Sequence, residues 1–308
     1  MLRALRSRVM ARPRRQGPLL DSGLWLDQHE AAATVDRSVQ GAELRSHLRD
    51  LIVRGYTHLP GAVPRAQCDS LIEAFTEYCS EKPESEEYAD EHGHHSRLCN
   101  FHLESDVALA VGLNPRVMDV LDAAFAKPAA ICSSLLFEKG SEQAIHRDTL
   151  FFHTAPANQF FGVWTALEDV TPDAGPLAYY IGGHRFHIDR LEIAEILQGR
   201  PTGEMFNEYI ARLHAACRQG QFPFSQADFM RKGDVLIWHP QLPHGGSPIG
   251  QSGRTRRSVV FHYMPEGSAV HGIDAFFSET YPEAGIPCIP ACGRSMIAHG
   301  QPRFERNY

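Results

Sequence analysis

The 308-residue chain has no CxxC pair, no visible internal repeat, no long uninterrupted apolar run and no excess of basic residues. Each absence narrows the field. The seven cysteines, Cys68, Cys79, Cys99, Cys132, Cys217, Cys288 and Cys292, are odd in number and scattered. That argues against a disulfide framework and makes a reducing, cytoplasmic setting the simplest expectation. Only Cys288 and Cys292 lie close together, and one such pair does not make a zinc site. A formal charge of −7 and a pI near 6.2 lack the basic character of a nucleic-acid-binding domain. Without an apolar run of about 18 residues, no membrane span is expected.

What is present is a globular composition. Hydrophobic residues make up 43% and charged residues 22%, enough to bury a sizeable core without staples. The length suits one large β-sandwich with helical additions. The first 17 residues carry six arginines and no acid. A transit peptide shares that bias, but the segment is poor in serine, with Ser7 alone, and has no long amphipathic pattern. No apolar h-region follows, so residues 1–40 read as a basic, poorly ordered or loosely packed extension.

Apolar spacing predicts helices over 41–54, 64–80 and 115–126, the last with Pro115 at an early position where its missing N–H costs little. The acid-rich stretch 81–96 reads as a solvated loop. From residue 129 the texture changes to short strands between Gly, Pro and Asp clusters: 130–137, 160–167, 177–181, 234–238 and 257–263. This pattern predicts a mainly β fold with α additions, a jelly roll or related double sheet. Two helices, 189–198 and 203–218, interrupt it. Residues 41–265 form the expected domain, and 266–308 an irregular extension packing on its core.

The leading chemical signal is His146-Arg147-Asp148, with His244 far downstream. On an extended segment, residues two apart point to the same side. One imidazole and one carboxylate then converge, and a second imidazole from a distant strand completes a facial set of three with open positions. That is the ligand choice of non-haem Fe(II) oxygenases. His239 is a rival for the third ligand. His244 is preferred because Gly245 and Gly246 follow it and would let the backbone approach a metal; His239 is otherwise a packed or hydrogen-bonded strand-end histidine.

Downstream, Arg256, Ser258 and Val260 share one face of a strand by period two, and Arg257 and Val259 the other. An arginine facing a barrel interior is costly unless it meets an anion. A carboxylate of 2-oxoglutarate fits such a guanidinium, with Ser258 adding a hydrogen bond. Arg254 and Arg257 are expected in solvent.

These segments resemble the phytanoyl-CoA dioxygenase family of Fe(II)/2-oxoglutarate oxygenases. The family pattern is matched by Arg54–Gly61, by His146 and Asp148, by Trp164–Glu168, by Gly175–His184, and by the segments 233–246 and 256–263. The resemblance spans about residues 44–265. It implies a double-stranded β-helix, iron at His146, Asp148 and His244, 2-oxoglutarate at Arg256 with Trp164 beside it, and O2 as the second cosubstrate. Succinate and CO2 would leave as a C–H bond of a small metabolite is oxidised. Ile181 and Gly183 depart from the family's Pro and Ser or Thr, which puts the shape of that turn in question. The carboxylate at Asp148 argues against the halogenase variation.

The substrate is a small molecule of unspecified identity. Phe151, His153, Arg97 and His102, from segments expected to cover the mouth, are the candidate contacts, with the insertion 189–218 as a further cover. A non-catalytic jelly-roll binding protein and a zinc-dependent hydrolase are the rival readings. The expected assembly is a monomer or homodimer.

Overall fold

Side chains alternate across each central strand, and that alternation sets the architecture. The computed structural model describes residues 22–278, 288–291, 294–297 and 301–306. The N-terminal part holds α1 (Ala31–Ser38), α2 (Ala42–Arg54), β1 (Tyr56–Leu59), α3 (Arg65–Ser80), β2 (Arg97–Cys99), α4 (Asp106–Gly112) and α5 (Pro115–Phe125). Then follow β3 (Ala129–Phe137), β4 (His153–Thr154), β5 (Phe161–Ala166), β6 (Leu177–Tyr180), α6 (Arg190–Ile196), α7 (Thr202–Arg218), β7 (Phe224–Gln226), β8 (Val235–Trp238), β9 (His244–Gly246) and β10 (Ser258–Pro265). The chain closes with β11 (Val270–His271), α8 (Ile273–Ser278), β12 (Cys288–Ala291), β13 (Arg294–Ile297) and β14 (Arg303–Glu305).

The large sheet runs β1-β8-β5-β10-β3 and continues to β13 and β12, with β2 also on β3 and β14 on β2. A small sheet, β7-β6-β9, lies opposite, and β4 pairs with β11. Val163, Ile237, Val259 and Phe261 turn to one side and pack on Leu48, Leu71 and Leu121 of the helices. Trp164, Leu236, Trp238 and Val260 turn to the other and meet Leu177 and Tyr179 of the small sheet. The result is the expected mainly β jelly roll with a helical layer on its outer face.

Local signals explain the helix ends. The Asn114 side chain accepts from the Arg116 and Val117 N–H groups ahead of Pro115, and α2 stops at Gly55, which takes a left-handed φ of 79°, as a C-cap glycine does. Two expectations change. From Ser22 onward the N-terminal stretch is packed: Leu24, Leu26 and Val35 are buried in the helical-side core, each worth about 1.5–3 kcal/mol. The stretch 81–96 is only partly a solvated loop, because it includes a short 3-10 helix over Pro83–Tyr88 and anchors His95 to Glu138 at 2.9 Å. The C-terminal extension contributes β14, which pairs with β2. The side chains of Cys288 and Cys292 lie outside the described residues.

Candidate active site

His146 and His244 form a mutual backbone pair: His146 N–H donates to His244 O at 2.9 Å and His244 N–H to His146 O at 3.0 Å. Residues directly opposite in an antiparallel pair project to the same face, and here the ring centroids are 4.4 Å apart. Arg147 is extended, with φ −127° and ψ 137°, so Asp148 returns to the same side as His146. Asp148 Oδ1 sits 3.6 Å from His146 Nε2 and 3.5 Å from His244 Nε2. The three ligand atoms lie within 4.8 Å of one another and all three residues are buried.

Each ligand is oriented by its other polar atom. His146 Nδ1 donates to Ala144 O at 2.8 Å, and His244 Nδ1 donates to Leu242 O at 2.9 Å. That fixes the tautomer with a lone pair on each Nε2, aimed at the common point. Trp238 Nε1 donates to Asp148 Oδ2 at 2.7 Å and leaves Oδ1 for a metal. Burial would raise the Asp148 pKa, but the His244 and His146 rings outweigh it and hold the carboxyl well below its usual range. Burial pushes His244 down to about 4, against the pull of Asp148. Two imidazoles presenting Nε2 and one carboxylate suit a divalent metal.

Arg256 lines the same cavity, which has a volume of about 320 Å³. Its side chain is buried, with 3% exposure, yet among the described residues it forms no salt bridge, and Glu168 acts on it only from a distance. Nη1 donates to Gly175 O at 3.0 Å, and the guanidinium lies 5.5 Å from the Trp164 ring centre. Arg256 Nε, Ser258 Oγ and Trp164 Nε1 are buried without a hydrogen-bond partner. Desolvation lowers the Arg256 pKa to about 10. A buried cation with an unsatisfied donor beside it needs an anionic ligand, and a 2-oxoglutarate carboxylate fits these residues. Arg257, on the other face, is partly exposed and reaches toward Glu138 and Glu168 at 3.7 Å each.

The rival ligand His239 is elsewhere. Its Nε2 is 3.2 Å from Asp27 Oδ1, and its Nδ1 accepts from Gln241 N–H at 3.1 Å, so it is a hydrogen-bonded strand-end histidine. Gly245 and Gly246 serve a purpose other than the one expected. A Cβ on either would fall 2.6 Å from backbone atoms of Gln143 or Glu142, so they admit the neighbouring chain and not the metal. The departures in the 181–184 turn are accommodated: a Cβ on Gly183 would meet Pro243 at 2.8 Å, and Gly183 O accepts from Arg147 at 2.8 Å.

Of the candidate substrate contacts, Phe151 and Arg97 line the cavity and His102 and His153 do not. His102 turns to the helical side, where Nδ1 meets Ser134 Oγ at 2.7 Å. His153 is held by the β4–β11 pairing, its ring edge-on to Phe276. No residue of the insertion 189–218 lines the cavity; it packs behind, with Phe206 6.0 Å from Phe151. The sequence reading missed Trp238 and His262. His262 shares the inward parity of Ser258 and Val260, so period two alone would have found it; its Nδ1 is 2.6 Å from Ser133 Oγ.

Comparison with known proteins agrees with this geometry. A model of the family described as phytanoyl-CoA dioxygenase matches residues 53–258. Phytanoyl-CoA dioxygenase domain-containing protein 1 of Bos taurus is 28% identical over 163 residues, 52% of this chain and 53% of that one. The chain spans about half the length of the curated relatives it matches. Among solved structures, the non-heme alpha ketoglutarate dependent carbocyclase SnoK from nogalamycin biosynthesis superposes with a TM-score of 0.62 at 17% identity, over 82% of this chain and 95% of that one. EctD from S. alaskensis gives 0.57 at 18% identity, over 88% of each. At that identity the solved structures speak for the fold, whereas the family match covers more than half of the chain: the protein belongs to the phytanoyl-CoA dioxygenase family.

Proposed function

We propose that the chain is an Fe(II)/2-oxoglutarate-dependent dioxygenase that oxidises a C–H bond of a small metabolite, releasing succinate and CO2. The observation that carries this reading is one cavity lined by His146, Asp148, His244 and a buried Arg256 that, among the described residues, has an unpartnered Nε and no salt bridge. A zinc hydrolase would use the three ligands but has no need of that cation.

His146 Nε2, His244 Nε2 and Asp148 Oδ1 would hold the iron. Arg256 and Ser258 would receive the far carboxylate of 2-oxoglutarate, with Trp164 beside it. When bound, iron with its cosubstrate supplies the oxidising power that no side chain has. The protein's part is placement and exclusion of water. Trp238 keeps one Asp148 oxygen occupied so that the other faces the metal, while Leu177, Val260 and Phe137 keep the cosubstrate end apolar. Anaerobic addition of Fe(II) and 2-oxoglutarate should produce a weak visible absorption band in the wild type and none in His244→Ala. Absence of the band in the wild type, with a folded protein, would overturn the reading.

A further inference from the structure

Register sets one row of inward residues across four strands of the large sheet. His262 of β10 pairs with Ser133 of β3 on one side and with Gly162 of β5 on the other, and Gly162 pairs in turn with Trp238 of β8. Gly162 leaves the space that the Trp238 indole fills, since a Cβ there would fall 2.3 Å from the ring. Trp238 commits its N–H to Asp148, so the row lies level with the metal ligands. Arg256 serves the opposite end of the cavity, roughly 20 Å along an extended segment from His262. His262 is buried at 4% exposure, with the rings of Phe152 and Phe160 at 4.5 and 5.3 Å. It takes no part in the three-residue ligand set. Among the described residues its ring makes one hydrogen bond, from Nδ1 to Ser133 Oγ at 2.6 Å. The ring lines the cavity, which leaves Nε2 for what the cavity holds. A buried polar atom without a partner calls for one. Burial pushes the His262 pKa down to about 4, so the ring is neutral and has one donor and one acceptor.

We propose that His262 is a specificity-determining residue whose Nε2 forms a hydrogen bond with an uncharged oxygen of the substrate, a hydroxyl or a carbonyl, beside the metal ligands. The inference rests on the proposed function in taking the cavity as the substrate's. Ser133 makes the contact adaptable, because its hydroxyl rotates. When Ser133 Oγ accepts from Nδ1–H, Nε2 accepts from a substrate hydroxyl; when the hydroxyl donates to Nδ1, Nε2–H donates to a carbonyl. The row itself carries no charge, which suits an uncharged group. The imidazole is already held by Ser133 and the two phenylalanine rings, so little side-chain freedom is lost on binding. Phe151, 43% exposed and lining the same cavity, offers a face for the apolar part of the molecule. The substrate class is then a small, largely apolar molecule carrying a hydroxyl or a carbonyl.

The test titrates the full chain by calorimetry with benzyl alcohol, acetophenone and toluene, under anaerobic Fe(II) and saturating 2-oxoglutarate. His262→Phe and His262→Leu remove the hydrogen bond in two shapes, and His262→Gln keeps a donor and an acceptor; thermal melts check that each variant folds. Affinity for the alcohol or the ketone, taken relative to toluene, should fall by at least about tenfold from the wild type to the Phe and Leu variants. The Gln variant should keep a good part of it. A fall for the alcohol alone identifies Nε2 as the acceptor, and a fall for both identifies Nε2–H as the donor; either supports the inference. An unchanged ratio, or no binding of any probe to the wild type at millimolar concentration, would overturn it. Binding of 2-oxoglutarate itself should change little. A loss there in place of the probe preference would assign His262 to the cosubstrate and equally overturn the inference. A second measurement needs no variant: in the metal-free protein, the nitrogen-15 resonance of His262 Nε2 should move on adding benzyl alcohol or acetophenone and stay in place with toluene, and a resonance unmoved by all three would count against the contact. A missing iron–2-oxoglutarate band combined with that shift would count against the proposed activity and not against this site.

Discussion

Arg256 and Arg257 are neighbours in sequence and opposites in surroundings. Arg256 is buried and forms no salt bridge among the described residues, whereas Arg257 is partly exposed between Glu138 and Glu168. Removing one partner of a buried charge pair costs roughly 3–5 kcal/mol, so Arg256→Ala should raise the 2-oxoglutarate concentration for half-maximal succinate release by roughly 100-fold or more. Arg257→Ala should change it little, and equal effects would sink the assignment. Trp238 offers a second test. Trp238→Phe keeps a ring in place but removes the N–H that holds Asp148 Oδ2. Loss of such a supporting bond typically weakens metal affinity by roughly 10–100-fold, read as the Fe(II) concentration needed to restore activity. The inward parity of Arg256, Ser258 and Val260 was legible because one period governs a whole strand. His102 and His153 were not, because a three-residue 3-10 helix and a two-residue strand are too short for a period to fix a direction.

At the scale of elements, the central strands of the large sheet and the longer helices α2, α3, α5 and α7 were readable from alternation and spacing, while the short α1 and α4 were not. The short β2, β4 and β14 were not: two or three residues carry no periodicity, and their identity comes from partners such as β3, distant in sequence. The same holds for the packed N-terminal segment. It docks through Asp27, which accepts from Asn158 Nδ2 at 3.2 Å, pairs with Ser22 and faces His239, with His184 behind at a ring distance of 5.2 Å from His239. Burial raises the Asp27 pKa, but His239 and Ser22 outweigh it and hold the group at about 2 instead of 3.8. A depressed carboxyl pKa stabilises the fold above the unfolded value and loses that contribution as pH falls through the folded one. Wild type should therefore exceed Asp27→Asn by roughly 2 kcal/mol at neutral pH. Urea midpoints should show the gap intact down to about pH 4 and shrinking below it. A gap that widened on acidification would contradict the assignment.

Across the whole molecule, the large sheet and the small sheet enclose one cavity, the helical layer backs the large sheet from outside, and both ends of the described chain close on the cavity or on its supports. Residues 22–27 brace the turn that leads to His244, and β14 forms part of the mouth. The proposed metal ligands thus depend on contacts spread over most of the sequence, although each is identified by a short motif. Iron removal should leave the fold intact, because no hydrogen bond between elements runs through the metal. With the chelated protein in deuterated water, the amides of His146 and His244 should exchange as slowly as those of β5 and β10; rapid exchange at these two positions would show that the metal organises them. The reciprocal backbone bonds between His146 and His244 have a consequence for how the proposed metal site is loaded. They make the spacing of the two imidazoles a matter of strand register, fixed during folding, so the apoprotein waits as a finished socket. Loading then costs little ordering, iron and chelator compete on affinity alone, and activity lost to chelation should return on adding iron, with no refolding step between.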